Sequence, residues 1–489
     1  MTASMPSFPF SLSAVCVLVL SLAGCAIGPH YETPTAANPA AFKEAPAAAG
    51  WLPAAPADAL DRSEWWQLFG DAKLDELAAR VQVSNQNIAA AVGNYAQAQA
   101  LVREQRSALF PQVNVDGTGR RSGALRSASF GPTPINAFSA SLGVDWAPDV
   151  WGRLRQAVTS AQAGAQASEA DLASARLSAI GSLAINYFSL RETDAEIVLL
   201  DDTITGYERA LEITNNRYQA GISAQTDVLQ AQTQLLSTRA DRVSLMRNRA
   251  TLEHAIAVLV GAAPNDFDLP STKWKPTVPG VPTGVPSTLL QRRPDIAAAE
   301  RAVASANAQI GIARTAYFPS FGLSSSVGSS TGRVGDLFSA SNTLWSLGLS
   351  VAQVVFDGGA IGARVDEAKG SYDASVARYR QTVLTAFQSV EDQLTAAATL
   401  GQQEGFRLQA SLAADKTEQQ LLNRYRAAQV SYSDVVTAQA AALNARRTLV
   451  QLQVNRQNAA VALIQNLGGG WQTSWPATPA VPTPGASTP

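Results

Sequence analysis

The chain has 489 residues, 37 basic against 39 acidic, for a net charge of −2 with 16% charged residues, so it lacks the basic surplus that nucleic-acid binding requires. Two cysteines, Cys16 and Cys25, both near the start, and two histidines, His30 and His254, leave the body without a disulfide, a thiolate metal site or a histidine-based triad. With no phosphate-cradling Gly-rich loop ending in Lys-Ser/Thr either, the residues predict no metal, no cofactor and no enzyme.

The first element is an address. Phe10 to Ala23 form an apolar run of signal-peptide length, too short to span a bilayer. It ends in Leu22-Ala23-Gly24-Cys25, which resembles the box where a lipoprotein peptidase cuts before a diacylglyceryl cysteine. Ala26 follows, not the Asp that resembles an inner-membrane retention signal. Cys25-Ala26-Ile27-Gly28-Pro29-His30-Tyr31 reads as a mobile lead-in, and Glu32 to Pro56, rich in Pro and Ala, as an extended tether that buries no core. No later stretch reaches the roughly 20 apolar residues of a spanning helix. A membrane crossing would therefore need a barrel.

The body repeats itself. Ile88-Ala89-Ala90-Ala91 returns as Ile296-Ala297-Ala298-Ala299, and Leu109-Phe110-Pro111 as Tyr317-Phe318-Pro319, each 208 positions on. Asn216-Arg217-Tyr218 returns as Asn423-Arg424-Tyr425 and Asp227-Val228 as Asp434-Val435, 207 positions on. The chain thus divides into a signal peptide (1–24), a lipid-anchored tether (25–59), repeat one (60–263), a Pro-rich linker (264–285), repeat two (286–470) and a Pro-rich tail (471–489).

Each repeat reads helix, strand, loop, strand, very long helix, helix. The first helix, about Lys73 to Ala108, stops at Phe110-Pro111, because proline forbids continuation; its counterpart stops at Phe318-Pro319. The period then becomes two. Phe138, Ala140, Leu142, Val144 and Trp146 alternate with Ser139, Ser141, Gly143 and Asp145, and Trp345, Leu347, Leu349 and Val351 with Ser346, Gly348, Ser350 and Ala352. The preceding partners look shorter, around Val113-Asn114-Val115 and Phe321-Gly322-Leu323. Apolar and small polar residues alternating over about ten positions, with aromatics at the ends, is the pattern of a membrane barrel strand. It places Phe138, Leu142, Trp146, Trp345, Leu347 and Leu349 toward lipid, and Ser139, Ser141, Ser346 and Ser350 toward a lumen. Loops are expected over Arg120 to Ile135 and Gly328 to Asn342.

A proline-free helix from about Leu154 to Gln219 would be about 100 Å long. Such a helix demands a coiled coil, with small seam residues such as Ala161, Ala165, Ser168 and Ala175. The chain turns at Ala220-Gly221 and returns over about Ala224 to Val260; repeat two turns near Ala428 and returns over about Asp434 to Leu467. His254, on the first return helix, reads as a packed or hydrogen-bonded imidazole. The fold class is an α+β membrane protein built from a duplicated strand-hairpin and long-helix unit. One copy has four strands and two open edges, which lipid does not tolerate, so an oligomer is required.

This pattern resembles the TolC/NodT-like outer-membrane efflux lipoproteins across about Cys25 to Trp471. The specific parts are Gly28-Pro29-His30-Tyr31, Trp65-Trp66-Gln67-Leu68-Phe69-Gly70-Asp71, Trp151-Gly152-Arg153-Leu154, Arg292-Arg293-Pro294-Asp295-Ile296, Phe356-Asp357-Gly358-Gly359 and Leu467-Gly468-Gly469-Gly470-Trp471. The resemblance implies a homotrimer whose twelve strands close a barrel that continues into a helical periplasmic tunnel. It further implies a periplasmic adaptor, an inner-membrane pump of the resistance–nodulation–division type, and passive export of drugs or other small molecules. An outlet for type I protein secretion or metal efflux, and a periplasmic adaptor lipoprotein, are the alternatives. Cys25 is the expected lipid attachment point. The resemblance also implies a gate after the helical turns: Asp434 keeps the first acid of an Asp-x-x-Asp pattern, Thr437 replaces the second, and Tyr425 would hydrogen-bond Asp227. A basic partner found near Val430 in some relatives is missing. The plain alternative is that Asp227 and Asp434 cap their helices.

Overall fold

A computed structural model describes residues 27–37, 39, 41–44, 62–123, 134–280 and 292–471. Cys25, the leader and residues 472–489 lie outside the described residues, as do most of the tether and part of the linker.

Repeat one opens with a 3-10 helix, Arg62–Phe69, followed by α1 (Ala72–Ser84), α2 (Gln86–Ser107), β1 (Gln112–Ser122), β2 (Ile135–Trp146), α3 (Arg153–Gln219) and α4 (Gln225–Leu259). Repeat two supplies α5 (Pro294–Thr315), β3 (Ser320–Thr331), β4 (Thr343–Ala352), α6 (Ala360–Arg426) and α7 (Tyr432–Asn466). α3 and α6 are both 67 residues long, and α4 and α7 both 35. The duplication therefore holds at the level of element length. Among the described residues no helix is long and apolar enough to cross a membrane.

The chain forms two compact units, and each draws on both repeats. Of the described residues, one contains those up to Thr35 with Tyr95–Ser168 and Ala298–Tyr379, and the other contains those within 36–94, 169–297 and 380–471. In the first, the strands form one antiparallel sheet in the order β1-β2-β3-β4, leaving β1 and β4 as its edges. The second is helical.

Several expectations need correction. The first helix is two, broken at Asn85, whose side-chain oxygen accepts from the N–H groups of Asn87 (3.0 Å) and Ile88 (3.1 Å) and starts α2 as an N-cap. Its amide also donates to the carbonyl of Leu259 at the end of α4. The strands β1 and β3 are as long as their partners, so Arg120–Ser122 and Gly328–Thr331 are strand rather than loop. The lead-in is packed, with Asn307 donating to the Pro29 carbonyl at 3.1 Å and Tyr31 hydrogen-bonding Glu300, and in the stretch expected to be a tether without a core Phe42 is buried against Phe387. His254 is exposed. Of the expected seam residues, Ala161, Ala165, Ser168 and Ala175 are half-buried, while Ala163 and Ala170 are buried.

The aromatic motif near the start has a plain role. Trp65, Trp66 and Phe69 are buried, and Phe69 meets Phe188 at 4.9 Å. Gly70 turns the chain at φ 65°, and Asp71 then caps α1 through Lys73 and Leu74 while accepting from the Tyr187 hydroxyl at 2.8 Å.

Candidate functional site

Two regions carry the predicted functional residues: the sheet, and the turns joining the long helices to their return helices.

In the sheet, register decides the chemistry of each face, because directly opposed residues of antiparallel strands point the same way. Ser139 lies between Thr118 and Ser330, Ser141 between Asp116 and Gly328, and Gly143 between Asn114 and Ser326. Ser326 then opposes Ser346, and Gly322 opposes Ser350. The hydroxyl pairs Thr118–Ser139 (2.6 Å) and Ser326–Ser346 (2.9 Å) seal neighbouring strands on this polar face. On the other face Leu142 lies between Val115 and Val327, Val144 opposes Val113, and Trp146 opposes Leu323. Leu323 opposes Leu349, and Val327 opposes Trp345. One face is thus mostly small and polar across all four strands, and the other mostly apolar, with Ser325 and Ser329 of β3 interrupting it. The apolar face is bare: Trp345 is 80% exposed and Leu349 71%. An aqueous surface this apolar needs a cover.

The passage from sheet to helix explains two of the motifs. Asp149 accepts from the backbone N–H groups of Leu154 (3.0 Å) and Arg155 (2.9 Å), and Asp357 from those of Gly359 (2.9 Å) and Ile361 (2.6 Å). These carboxylates satisfy the free N–H groups that begin α3 and α6; the bonds hold Asp357 below the usual carboxylate range. The turns need left-handed backbone, supplied by Gly152 (φ 82°) and by Gly358 and Gly359 (φ 65° and 93°).

At the helical turns, α3 ends where Gly221 adopts φ 74° and the Ile222 N–H bonds back to the Arg217 carbonyl at 2.8 Å. α6 ends identically, with Ala428 at φ 58° and the Gln429 N–H on the Arg424 carbonyl at 2.9 Å. Both are left-handed C-terminal caps with a six-to-one bond. Below them Tyr425, Tyr432, Val435 and Ala231 form a small core, and the Tyr425 and Tyr432 rings lie 5.2 Å apart. Burial, with the neighbouring Tyr425 adding to it, pushes the Tyr432 hydroxyl up to about 12.

The predicted gate residues come together in part. Asp434 is exposed and sits three residues into α7, where it accepts from the Ser431 N–H (3.1 Å) and the Ser431 hydroxyl (2.7 Å). This is the acidic half of a capping box. Thr437 is exposed and donates to the Ser433 carbonyl of its own helix at 2.9 Å. Asp227 is half-buried in the first turn of α4. The expected Tyr425–Asp227 hydrogen bond is not formed: the Tyr425 hydroxyl is buried without a hydrogen-bond partner. The residue that does engage Tyr425 is Arg217, which the sequence reading passed over. Its guanidinium lies 4.7 Å from the Tyr425 ring centroid and donates to the Tyr425 carbonyl at 3.0 Å. The twice-occurring Asn-Arg-Tyr was the available signal.

A duplicated unit that pairs two strands with a 67-residue helix, and joins its four strands into one sheet with an apolar and a polar face, defines a channel-forming outer-membrane protein. Residues 77–262 and 285–469 match the model of the outer membrane efflux protein family. The chain belongs to that family and is an outer-membrane efflux channel protein; its family is one of channels. It is 32% identical over 468 residues to the toluene efflux pump outer membrane protein TtgC of Pseudomonas putida, covering 94% of this chain and 96% of the relative. It is 28% identical to the cation efflux system protein CusC of Escherichia coli, over 95% of this chain and 99% of that protein. The solved outer-membrane channel OprN superposes with a TM-score of 0.82 at 29% identity, covering 92% of this chain and all of that one.

Proposed function

We propose that three copies of the chain close one twelve-stranded barrel and a helical tunnel. Through it drugs or other small molecules pass outward, delivered by an inner-membrane pump of the resistance–nodulation–division type and a periplasmic adaptor. The observation that carries this reading is the sheet itself. Its apolar face extends over all four strands, and among the described residues both edge strands lack a partner. In hydrocarbon each unpaired backbone group would cost several kcal/mol, so a spanning sheet must close. Edge β1 of one copy on edge β4 of the next removes every edge. Phe138, Leu142, Trp146, Trp345, Leu347 and Leu349 then meet lipid, and Ser139, Ser141, Ser346 and Ser350 line water.

The conduit is passive, and choice of cargo belongs to the pump; relatives named for toluene and for cations share the fold. Cys25 carries the lipid that ties the chain to the outer membrane. At the turns, Asp434 of three copies forms one acidic ring at the entrance, Thr437 adds no charge to it, and Asp227 and Tyr425 lie beside it. Asp434 serves both as a cap and as that ring.

Protein extracted in detergent should have the native mass of a trimer, carry palmitate label that is lost in Cys25→Ser, and form channels in planar bilayers. Trivalent cations should block these channels, and Asp434→Ala should weaken the block by at least tenfold. A monomeric mass with no conductance would overturn the channel reading, and block unchanged in Asp434→Ala would remove the ring from the constriction.

A further inference from the structure

The two turns are sequence equivalents that stand in different surroundings. Arg217 and Tyr218 close α3; Arg424 and Tyr425 close α6, 207 positions on. Within one chain only one of the two possible Arg–Tyr contacts is made. Arg217 of repeat one lies over the Tyr425 ring of repeat two and donates to the Tyr425 carbonyl, and a longer bond reaches the Arg426 carbonyl (3.5 Å). The guanidinium thus sits on the carbonyl-rich end of α6, where a cation is favoured by the helix dipole, and covers an aromatic face. Tyr425, packed on its other side in the core with Tyr432, Val435 and Ala231, is 3% exposed. The equivalents are bare: Arg424 is exposed, and Tyr218 is 41% exposed.

A closed ring of three such chains contains six helical hairpins that alternate between repeat one and repeat two. If repeat one reaches repeat two on its right through Arg217, the operation that carries repeat one onto repeat two carries repeat two onto repeat one of the next chain. Cyclic closure therefore offers the same contact again, across the subunit boundary. We infer that Arg424 of each chain clasps Tyr218 of the partner subunit, donating to the last carbonyls of that subunit's α3, so that six Arg–Tyr clasps, three within chains and three between them, encircle the tip. This rests on the trimer proposed above. The backbone is prepared for it: the two turns have the same left-handed cap and the same six-to-one bond, so each presents its terminal carbonyls in the same direction.

The test is a chemical cross-link in the detergent-extracted trimer. Arg424→Cys with Tyr218→Cys, treated with a short bis-maleimide that adds one cysteine thiol to each end, should give a covalent trimer on denaturing gels. Arg217→Cys with Tyr425→Cys should link within the chain, leaving a monomer band whose intact mass has gained one reagent and whose two thiols are both consumed, which shows that the reagent spans the contact. The unsubstituted protein gives the background. Native mass before treatment separates failure of the trimer from failure of the clasp: a native trimer in which Arg217→Cys with Tyr425→Cys links and Arg424→Cys with Tyr218→Cys stays monomeric would overturn the inference. In parallel, Arg424→Ala should lower the temperature at which the trimer dissociates by several degrees, and adding Tyr218→Leu should lower it no further, since both remove one contact. Additive shifts would also overturn it.

Discussion

The two repeats have kept their backbone and changed their charges. Gly261 and Gly468, 207 apart, both cap return helices with positive φ (72° and 91°). A β-carbon on Gly261 would collide with the Ser84 carbonyl, and one on Gly468 with the Arg292 carbonyl, itself 208 positions from Ser84. Beside them Asn85 donates to the Leu259 carbonyl and Arg293 to the Asn466 carbonyl: different side chains at equivalent positions serve the same helix end. Arg239–Glu208 and Arg446–Asp415 are equivalent ion pairs, both 2.7 Å. Elsewhere the copies part. Repeat one buries Arg191 and Asp194 with Arg249 beside them, where repeat two has Ala398 and Gly401. Geometry that a fold cannot do without persists through duplication, while charge is free to move wherever another partner can balance it.

The largest effect should be equal in both repeats. Leu142 and Leu349 are equivalent positions on the apolar face, and Ser139 and Ser346 equivalent positions on the polar one. Arginine at either leucine should destabilise the assembled barrel by about 2–4 kcal/mol if it lies near mid-bilayer, measured as loss of heat-resistant oligomer. Arginine at either serine should leave assembly intact and change conductance. A repeat in which the two faces responded alike would show that its hairpin does not span.

A smaller effect should have opposite signs in the two repeats. The left-handed cap falls on Gly221 in repeat one and on Ala428 in repeat two. A β-carbon costs roughly 1–2 kcal/mol in that conformation, and nothing lies within 4 Å of where a methyl on Gly221 would stand. Gly221→Ala should therefore destabilise its hairpin by about 1 kcal/mol, and Ala428→Gly should stabilise the other by a similar or smaller amount, because glycine also gains freedom when unfolded. Hydrogen exchange at the last turns of α3 and α6 reads the two separately.

Much of this architecture was legible in the sequence, for reasons that are local. The long helices are proline-free, the turns carry Gly221 or follow a matched Asn-Arg-Tyr, and β2 and β4 alternate cleanly. Both β1 and β3 read short because their outward positions run into Gly117 and Gly119, or Ser325 and Ser329; pairing with β2 and β4, not apolar content, carries them to full length. The break at Asn85 was hidden because an apolar helical period continues through it, although Ser84-Asn85 is a capping signal. Tyr425 was assigned a hydrogen bond through its hydroxyl, whereas the fold uses its ring. Packing of Tyr31 against Glu300 and Arg301 joins positions some 270 apart, and no local pattern announces such a contact.

The finest test of the divergence lies in α3. Glu192 and Glu196 stand one turn apart and correspond to Thr399 and Gln403 in repeat two, so the acidic pair exists in one copy alone. Glu196 is buried and is met by Arg447 (3.4 Å) and Gln451 (3.1 Å) from α7; Arg447 also faces Asp241 of α4 at 3.6 Å, and Thr193 lies beside Glu192 on α3. Burial, with the Glu196 charge adding to it, pushes Glu192 up to about 7. One arginine does not neutralise two carboxylates, so the folded pair prefers to keep a proton. Between the ordinary glutamate range and about 7, the folded chain then binds more protons than the unfolded one, and stability falls as pH rises through that window. Burial also raises Glu418 and Asp171, so the slope of the native protein alone does not isolate Glu192. The difference does. Glu192→Gln should be more stable than the native protein at pH 8, approach it near pH 5, and show a flatter profile between, whereas Thr399→Glu, which has no Glu196 equivalent beside it, should add little slope. Parallel native and Glu192→Gln profiles in thermal melts from pH 5 to 8 would show that both carboxylates are already ionised in the fold.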